Sequence, residues 1–389
     1  MQIPIAYNLR NLVVRWGTTV MTALGIALTV AVLVAMLAMV NGLETSFATT
    51  GHPLNIIVTR KGSESELVSN LARTVFQDLK VTPGIAKNAA GETMASLELI
   101  TIINIPSVDQ PDGINVTVRG LSAIGLELRP DLKLTSGRIF ETGKREIVIG
   151  RAIAVRHPDV AIGKTLRFGR GDWTVVGVMD GGRSAYNSEI FCDLNQLTSD
   201  YNRNEVVSSA VLRATDEATL AALLNRLESD QKLNVSVRTE RAYYAAQMTA
   251  ARPLQILGSL IALIMAVGSS FAAMNTMYAA VSRRAKEIGT LRVLGFSQGS
   301  ILFSFFLESI VLSLIGGVLG VLLVYFTLNG ATTGLLSFQT FSQIAFDYTI
   351  NPKVAGMGIL FALFMGAFGG LFPARSAAKK EILSALREV

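Results

Sequence analysis

Four long apolar stretches with almost no charge constrain this chain more than any other feature. Three contain no charged residue: the interval between Arg15 and Glu44, Pro253 to Ser282, and the interval between Lys353 and Arg375. The fourth, at about residues 301–328, contains one charge, Glu308. About 20 apolar residues cross the hydrocarbon core of a bilayer, whereas a soluble helix this long carries a polar face. We therefore predict four transmembrane helices.

The first stretch must be distinguished from a secretory signal, because Arg10 and Arg15 precede it. Its apolar run is much longer than a signal core of about 7–15 residues, which predicts an uncleaved anchor. Before it, residues 1–17 place apolar side chains at helical spacing. This segment is either a cytoplasmic amphipathic helix on the membrane surface or the first turns of a longer span.

The basic residues indicate the orientation of the spans. Residues 41–252 contain equal numbers of basic and acidic residues, so the formal net charge of +6 arises from the segments beside the spans. The segments at 1–17, 282–300 and 374–389 are rich in Lys and Arg, whereas 329–351 has neither. The positive-inside rule then predicts that both termini and the 282–300 loop are cytoplasmic. The charge also favours contact with anionic lipid over a nucleic-acid partner.

These observations predict an inner-membrane, multi-pass protein: four transmembrane α-helices, with a large α+β extracytoplasmic domain between the first two. Only 16% of residues are charged, against about 25% in soluble domains. The predicted segments are 1–17 (cytoplasmic), 18–42 (first span), 43–252 (extracytoplasmic domain), 253–281 (second span), 282–300 (cytoplasmic helix), 301–328 (third span), 329–351 (short outer loop), 352–373 (fourth span) and 374–389 (cytoplasmic tail). Cys192 is the only cysteine, which excludes an intrachain disulfide.

Inside the large domain, alternating β-rich runs predict short strands. They are Asn55–Arg60, Ile114–Arg119, Glu146–Ile149, Trp173–Met179, Val206–Arg213 and Asn234–Arg238. Apolar residues at helical spacing predict helices at Glu64–Lys80 and Asp216–Glu228. The last two strands with the second helix would form a βαβ-like unit. The Gly-rich region at about 115–200 is a candidate inserted subdomain.

No catalytic or metal-ligating constellation stands out, so we predict a non-catalytic subunit that binds no cofactor. Gly163-Lys164-Thr165 resembles the end of a phosphate-binding loop, but the first glycine of that motif is replaced by Pro158. The stretch also lies in the predicted extracytoplasmic domain, away from cytosolic ATP. If ATP drives this protein, the nucleotide and its magnesium bind to another chain.

Several segments resemble the MacB/LolC/FtsX (type VII) family of ABC transporter permeases, and the resemblance covers nearly the whole chain. They are NLVVRWGTTVMTALGIALTVAVLVA (11–35), LTSGRIF (134–140), IVIG (147–150), IGKTLRF (162–168), WTVVGVM (173–179), VSRRAKEIGTLRVLGFSQGSIL (281–302) and GGLFPARSAAKKEILSALREV (369–389). The segment at 281–302 is the most specific. The family implies a homodimeric permease that transmits ATPase motion to a periplasmic domain without carrying substrate through the membrane.

The 281–302 segment also has the character of a docking helix, with apolar side chains at spacings of three and four among charged ones. The resemblance implies that it couples to a cytosolic ABC ATPase. The candidate coupling residues are Arg283, Arg284, Lys286, Glu287, Ile288, Leu291, Arg292, Leu294 and Gly295. From the residues alone, a basic surface loop that only fixes topology is an equal alternative.

Two further features lie within the spans. Glu308 is an intramembrane acid, which transmits motion from the coupling helix or, as we favour, forms a structural hydrogen bond to a neighbouring segment. Gly316 with Gly320, and Gly366 with Gly370, have the four-residue spacing that permits close helix packing in lipid.

The family resemblance implies export or efflux with a periplasmic adaptor and an outer-membrane channel. Three alternatives stay open: lipoprotein extraction, regulation of a cell-wall hydrolase, and a membrane-anchored receptor without an ATPase. The sequence names no substrate.

Overall fold

The computed structural model of the chain describes residues 16–106, 113–336 and 341–379, with the single positions 10 and 14. The predicted amphipathic segment at 1–17 and the end of the tail, 380–389, therefore lie almost wholly outside the described residues. The chain divides into two compact units. The membrane unit comprises Met1–Asn41, Pro253–Ala331 and Tyr348–Val389, and the sheet domain comprises Gly42–Arg252 and Thr332–Asp347.

The secondary structure alternates long helices with many short strands. The helices are α1 (Trp16–Ala48), α2 (Val75–Lys80), α3 (Ala123–Glu127), α4 (Arg151–Arg156), α5 (Leu194–Asp200), α6 (Glu217–Ser229), α7 (Glu240–Arg283), α8 (Ala285–Val293), α9 (Gln298–Leu328) and α10 (Pro352–Lys379), with a 3₁₀ turn at Ala185–Ser188. The strands are β1 (Asn55–Arg60), β2 (Leu71–Ala72), β3 (Ala95–Ile105), β4 (Ile114–Leu121), β5 (Lys133–Gly137), β6 (Glu146–Gly150), β7 (Thr165–Phe168), β8 (Gly171–Asp180), β9 (Glu189–Asp193), β10 (Val206–Val207), β11 (Ser209–Arg213), β12 (Val235–Thr239), β13 (Thr332–Leu336) and β14 (Gln343–Asp347).

Among the described residues, four helices are long and apolar enough to cross a membrane, which confirms the predicted number of spans. They are Thr19–Ala48, Ile256–Arg283, Gln298–Leu328 and Pro352–Lys379. The third begins where Ser297 caps it, because the Ser297 hydroxyl accepts a hydrogen bond from the amide of Ser300 at 3.2 Å. This span is therefore continuous through Glu308.

The glycines singled out in the sequence lie where the spans approach most closely. A Cβ at Gly316 or Gly320 would lie 2.8 or 2.5 Å from a carbonyl oxygen of α1. A Cβ at Gly366 or Gly370 would meet serine side chains of α9. Each helix backbone thus occupies the space that a side chain would need, as expected when packing holds helices together in lipid.

The sheet domain is built on a ten-stranded sheet in the order β12-β1-β11-β3-β4-β9-β6-β8-β5, with β7 also paired to β8. The long strand β3 connects its two halves: Ala95–Glu98 pairs with β11, and Leu99–Ile105 pairs with β4. The core includes the buried Trp173 and Ile190. The region at 115–200 thus continues the same sheet.

Two predictions inside this domain need correction. The helix predicted at Glu64–Lys80 is limited to Val75–Lys80. Its first part is non-helical, because Glu66 and Ser69 are buried and bind partners elsewhere in the domain. The βαβ-like unit is split, since β1 lies between β11 and β12 and is antiparallel to both. The sequence analysis also missed β3, the longest strand in the part of the chain that the structure describes.

The segment predicted as a short outer loop, 329–351, contains the β13–β14 hairpin, which belongs to the sheet domain. The Thr117 hydroxyl donates to the Ser342 hydroxyl at 2.8 Å. The amide of Ala345 donates to the Ser188 hydroxyl at 2.7 Å. Residues separated by more than 150 positions in sequence thus complete one domain.

Candidate functional site

The short helix α8 lies between α7 and α9, where the resemblance placed a coupling helix. It ends at Val293, and Gly295, two residues later, has a φ of +92° in the left-handed region that favours glycine. The amide of Phe296 donates to the carbonyl of Leu291 at 3.1 Å and closes the turn. The sequence therefore forms a short helix with a defined C-terminal end.

One face of α8 packs into the membrane unit. Ile288 is buried and contacts an apolar cluster that includes Val281, Phe305 and Ala377. Arg284, immediately before the helix, is 3% exposed. These two predicted coupling residues therefore face the interior and fix the position of α8.

Arg284 forms a two-point ion pair with the intramembrane acid Glu308. Its Nη1 lies 2.7 Å from Oε2 and its Nη2 lies 3.0 Å from Oε1. The guanidinium also lies 5.6 Å from the centre of the Phe305 ring. Because Glu308 is 5% exposed, the two charges compensate each other away from solvent. The acid and the helix before it are thereby held together.

The opposite face of α8 is open to solvent. Arg283, Lys286, Glu287, Leu294 and Gly295 are exposed, whereas Leu291 and Arg292 are half-buried. Leu294 is 64% exposed, and Val293 beside it is equally so. This face carries charges of both signs beside the exposed apolar side chains of Val293 and Leu294, as expected of a helix that docks into a groove.

The Gly163-Lys164-Thr165 sequence does not have the geometry of a phosphate-binding loop. Ile162 and Gly163 form a turn and Lys164 leads from it into strand β7, whereas the phosphate-binding motif leads into a helix. Within the described residues, no group of three or more His, Cys, Asp or Glu side chains is placed to hold a metal ion.

A second constellation, in the sheet domain, was missed by the sequence analysis. Arg119 of β4 is 2% exposed and contacts three buried carboxylates. It donates to Glu189 from Nε at 2.6 Å, to Glu98 from Nη1 at 2.6 Å, and to Glu66 from Nη1 at 3.2 Å. Burial alone would lower the pKa of Arg119, but attraction to Glu189 and Glu66 raises this pKa well above its ordinary value.

Arg129 extends this cluster towards the first turn of α7. It donates two hydrogen bonds to Glu98, at 2.6 and 2.8 Å. Its guanidinium lies 5.0 Å from the centre of the Tyr186 ring, and the Tyr186 hydroxyl donates to Glu240. Burial alone would raise the pKa of Glu98, but Arg129 and then Arg119 lower it.

We call Arg119, Arg129, Glu66, Glu98, Glu189 and Glu240 the buried ionic cluster. A sequence signal for it existed: single charges interrupt otherwise apolar strands, such as Glu98 in ASLELITIINI and Arg119 in INVTVRGL. Such charges are almost never buried without partners. No spacing in the sequence shows which of them meet.

Comparison with known proteins assigns the chain to a family. The model described as MacB-like periplasmic core domain matches residues 19–230, and the one described as FtsX-like permease C-terminal matches residues 259–382. The chain belongs to the MacB/FtsX-type family of ABC transporter permeases.

Among its relatives, YknZ of Bacillus subtilis (strain 168), an ABC transporter permease, is 27% identical over 95% of this chain and 94% of its own length. The macrolide export ATP-binding/permease protein MacB of Campylobacter jejuni is 24% identical over 95% of this chain. The chain spans 58% of that MacB.

Two solved structures are also similar. The periplasmic region of MacB from Actinobacillus actinomycetemcomitans matches 51% of this chain and 94% of its own, with a TM-score of 0.37 and 12% identity. The extracellular domain of YknZ from Gram-positive bacteria matches 48% of this chain and 100% of its own, with a TM-score of 0.34 and 17% identity.

Proposed function

We propose that this chain is the permease subunit of an ATP-driven transporter, and that α8 couples it to a cytosolic ABC ATPase. The observation that carries the proposal is the division of α8 into two faces. Arg284 and Ile288 tie one face to the spans, while Lys286, Glu287 and Leu294 point outward. A helix bound this way passes the displacement of a partner on to α7 and α9.

The driving chemistry would come from ATP bound with magnesium on the partner. The sequence contains no complete phosphate-binding loop, and the family is one of permease components. Two permease chains would work with two ATPases, both termini in the cytoplasm, and transmit motion to the sheet domain on the opposite side. Similarity to MacB, a macrolide export protein, favours export with a periplasmic adaptor and an outer-membrane channel.

Substitution of Leu294→Asp in the full-length chain, co-expressed with its ATPase, tests the coupling. We expect ATPase co-purification to fall at least tenfold, because a charge would be placed in an apolar contact. Val155→Asp is the matched control, since Val155 is also 64% exposed but belongs to the sheet domain. If Leu294→Asp retains the ATPase as the control does, α8 is not the coupling contact and the coupling proposal is wrong. A wild-type chain that retains no ATPase would instead favour a receptor without ATPase.

The genes that neighbour this one separate the remaining alternatives. A gene for a membrane-fusion adaptor is expected if the protein exports with an outer-membrane channel. A second, non-identical permease gene would instead favour lipoprotein extraction and contradict the homodimer.

A further inference from the structure

A groove of about 490 Å³ lies between α7 and α10 on the surface of the membrane unit. The two helices touch at its floor, where a Cβ on Gly369 would lie 3.1 Å from the Cβ of Ala273 and 3.2 Å from the carbonyl oxygen of Ser270. Only one span, α9, separates α7 from α10 along the chain, so the two helices run in the same direction when each crosses a bilayer once. Residues of both helices line the groove.

Its walls are apolar side chains in helical register. Phe364, Phe368 and Phe372 form one stripe on α10, and all three are more than half exposed. The rings of Phe364 and Phe368 are in contact, with centroids 4.5 Å apart and planes tilted by 41°. On the α7 side, Leu263 and Phe271 are also more than half exposed. In a bilayer such a surface accepts hydrocarbon.

The stripe on α10 continues into two cations. Arg375 and Lys379 follow Phe372 at spacings of three and seven, so they lie on the same face of the helix, and both are exposed. At 1.5 Å per residue they lie about 9 and about 15 Å beyond Gly369 along the helix axis. Neither cation forms a salt bridge with any residue in the described ranges. On α7, Tyr278 places an exposed phenol about 7.5 Å beyond Ala273.

No acidic residue occurs in Ile256–Arg283 or in Pro352–Lys379, so nothing within either span opposes an anion at this end. A phospholipid has the matching shape: an acyl chain for the groove and a phosphate for the cations. Basic residues near the membrane surface attract anionic headgroups, and aromatic rings favour the interface. We propose that this groove is a binding site for an anionic phospholipid, with its acyl chain against the phenylalanine stripe and its headgroup on Arg375 and Lys379.

The site is tested with the purified full-length chain in nanodiscs of phosphatidylcholine containing about one-third phosphatidylglycerol, by native mass spectrometry after release into detergent. Phosphatidylglycerol is expected to be retained at least fivefold over its share of the nanodisc lipid. Arg375→Gln with Lys379→Gln should abolish this enrichment. The matched control, Arg283→Gln with Lys353→Gln, removes equal charge from the opposite face of α7 and the opposite end of α10, and should keep it.

A second variant tests the apolar part without changing the charge. Met274→Trp with Val267→Trp fills the groove and should lower retention of phosphatidylglycerol several-fold, while the melting temperature shows that the protein is folded. The proposal would be overturned if the wild type retained no excess of phosphatidylglycerol. It would also be overturned if the Arg283→Gln, Lys353→Gln control lost as much enrichment as the Arg375→Gln, Lys379→Gln variant.

A second copy of the chain is the alternative occupant. Phe368→Cys provides the test, because Cys192, the one natural cysteine, is fully buried. Absence of disulfide-linked dimers under oxidation is expected. Efficient cross-linking would assign the groove to a protein interface and exclude the lipid. These readouts do not involve the ATPase, so they stand apart from the coupling proposal.

Discussion

The two units of this protein each bury ionised side chains, but they compensate the charges differently. In the membrane unit, Arg284 and Glu308 form a closed one-to-one pair. In the sheet domain, two arginines face four glutamates, and hydroxyl and backbone donors complete the set: Ser209 donates to Glu66, and the amide of His52 donates to Glu240. An unpaired charge inside a bilayer finds no water to solvate it, so it needs a partner of opposite charge. A packed domain can also stabilise a buried carboxylate with hydrogen bonds from neutral donors. The pair joins two neighbouring helices, while the buried ionic cluster joins elements far apart in the chain.

The largest effect is expected from breaking the cluster at its centre. Arg119→Met leaves Glu66, Glu98 and Glu189 without their shared donor, and should lower the free energy of unfolding of the sheet domain by about 3–5 kcal/mol. The fluorescence of Trp173, which is fully buried in that domain, reports the transition in a Trp16→Phe background.

The control for this experiment is Arg151→Met. Arg151 pairs with Asp180 at 3.3 Å, but its side chain is 52% exposed. The substitution should therefore lower the free energy of unfolding by less than about 1 kcal/mol. Equal effects of the two substitutions would mean that the buried charges of the cluster contribute no more than surface charges.

A slightly smaller effect is expected in the membrane unit. Glu308→Leu or Arg284→Met alone leaves one buried charge and should destabilise the unit by about 3 kcal/mol. The double variant removes both charges and should recover most of that loss. The measurement is the fraction of full-length protein that stays monodisperse in detergent after stepwise heating. A double variant as unstable as either single one would show that the two side chains act separately.

Disrupting the close packing of two spans should destabilise the membrane unit by a smaller amount again. Gly320→Ala places a Cβ 2.5 Å from the carbonyl oxygen of Ala27 and should cost about 1–3 kcal/mol, because α1 and α9 must separate. Gly356→Ala on α10 is the control, since no atom lies within 4 Å of its Cβ position. The same heating assay compares them, and we expect the control to match the wild type.

The smallest effect concerns an ion pair with one solvent-exposed partner. The hydrogen bonds from Arg138 lower the pKa of Glu146 to about 2. The folded state thus favours the carboxylate, so this contribution is complete above about pH 4.5 and is lost as the pH falls towards 2. Arg138 is half exposed, which weakens the pair through solvent screening.

Glu146→Gln should therefore flatten the dependence of the Trp173 unfolding temperature on pH between 4.5 and 2. Above pH 5 its slope should equal that of the wild type. An unchanged slope below pH 4.5 would contradict the assigned partner.

Composition alone predicts the spans, because a bilayer requires about 20 apolar residues and few sequences meet that requirement by chance. The coupling segment could be found through the resemblance. Its division into a buried and an exposed face could not, because the sequence does not show how α8 packs against α9. The partner of Glu308 could not be identified for the same reason. In the sheet domain, β3 was missed because an almost continuously apolar strand lacks alternation. The buried ionic cluster depends on contacts between residues as far apart as Arg129 and Glu240, which local pattern does not encode.

The β13–β14 hairpin has a practical consequence for dissecting this molecule. A soluble fragment cut at residues 43 and 252 follows the obvious boundaries yet omits two strands of its own fold. Ile344 and Phe346, both buried, would be removed, and Ser188 and Thr117 would lose their hydrogen-bond partners. A fragment with residues 332–347 rejoined through a flexible linker should be better behaved. Binding surfaces mapped on the shorter fragment near these residues would be artefacts of the cut.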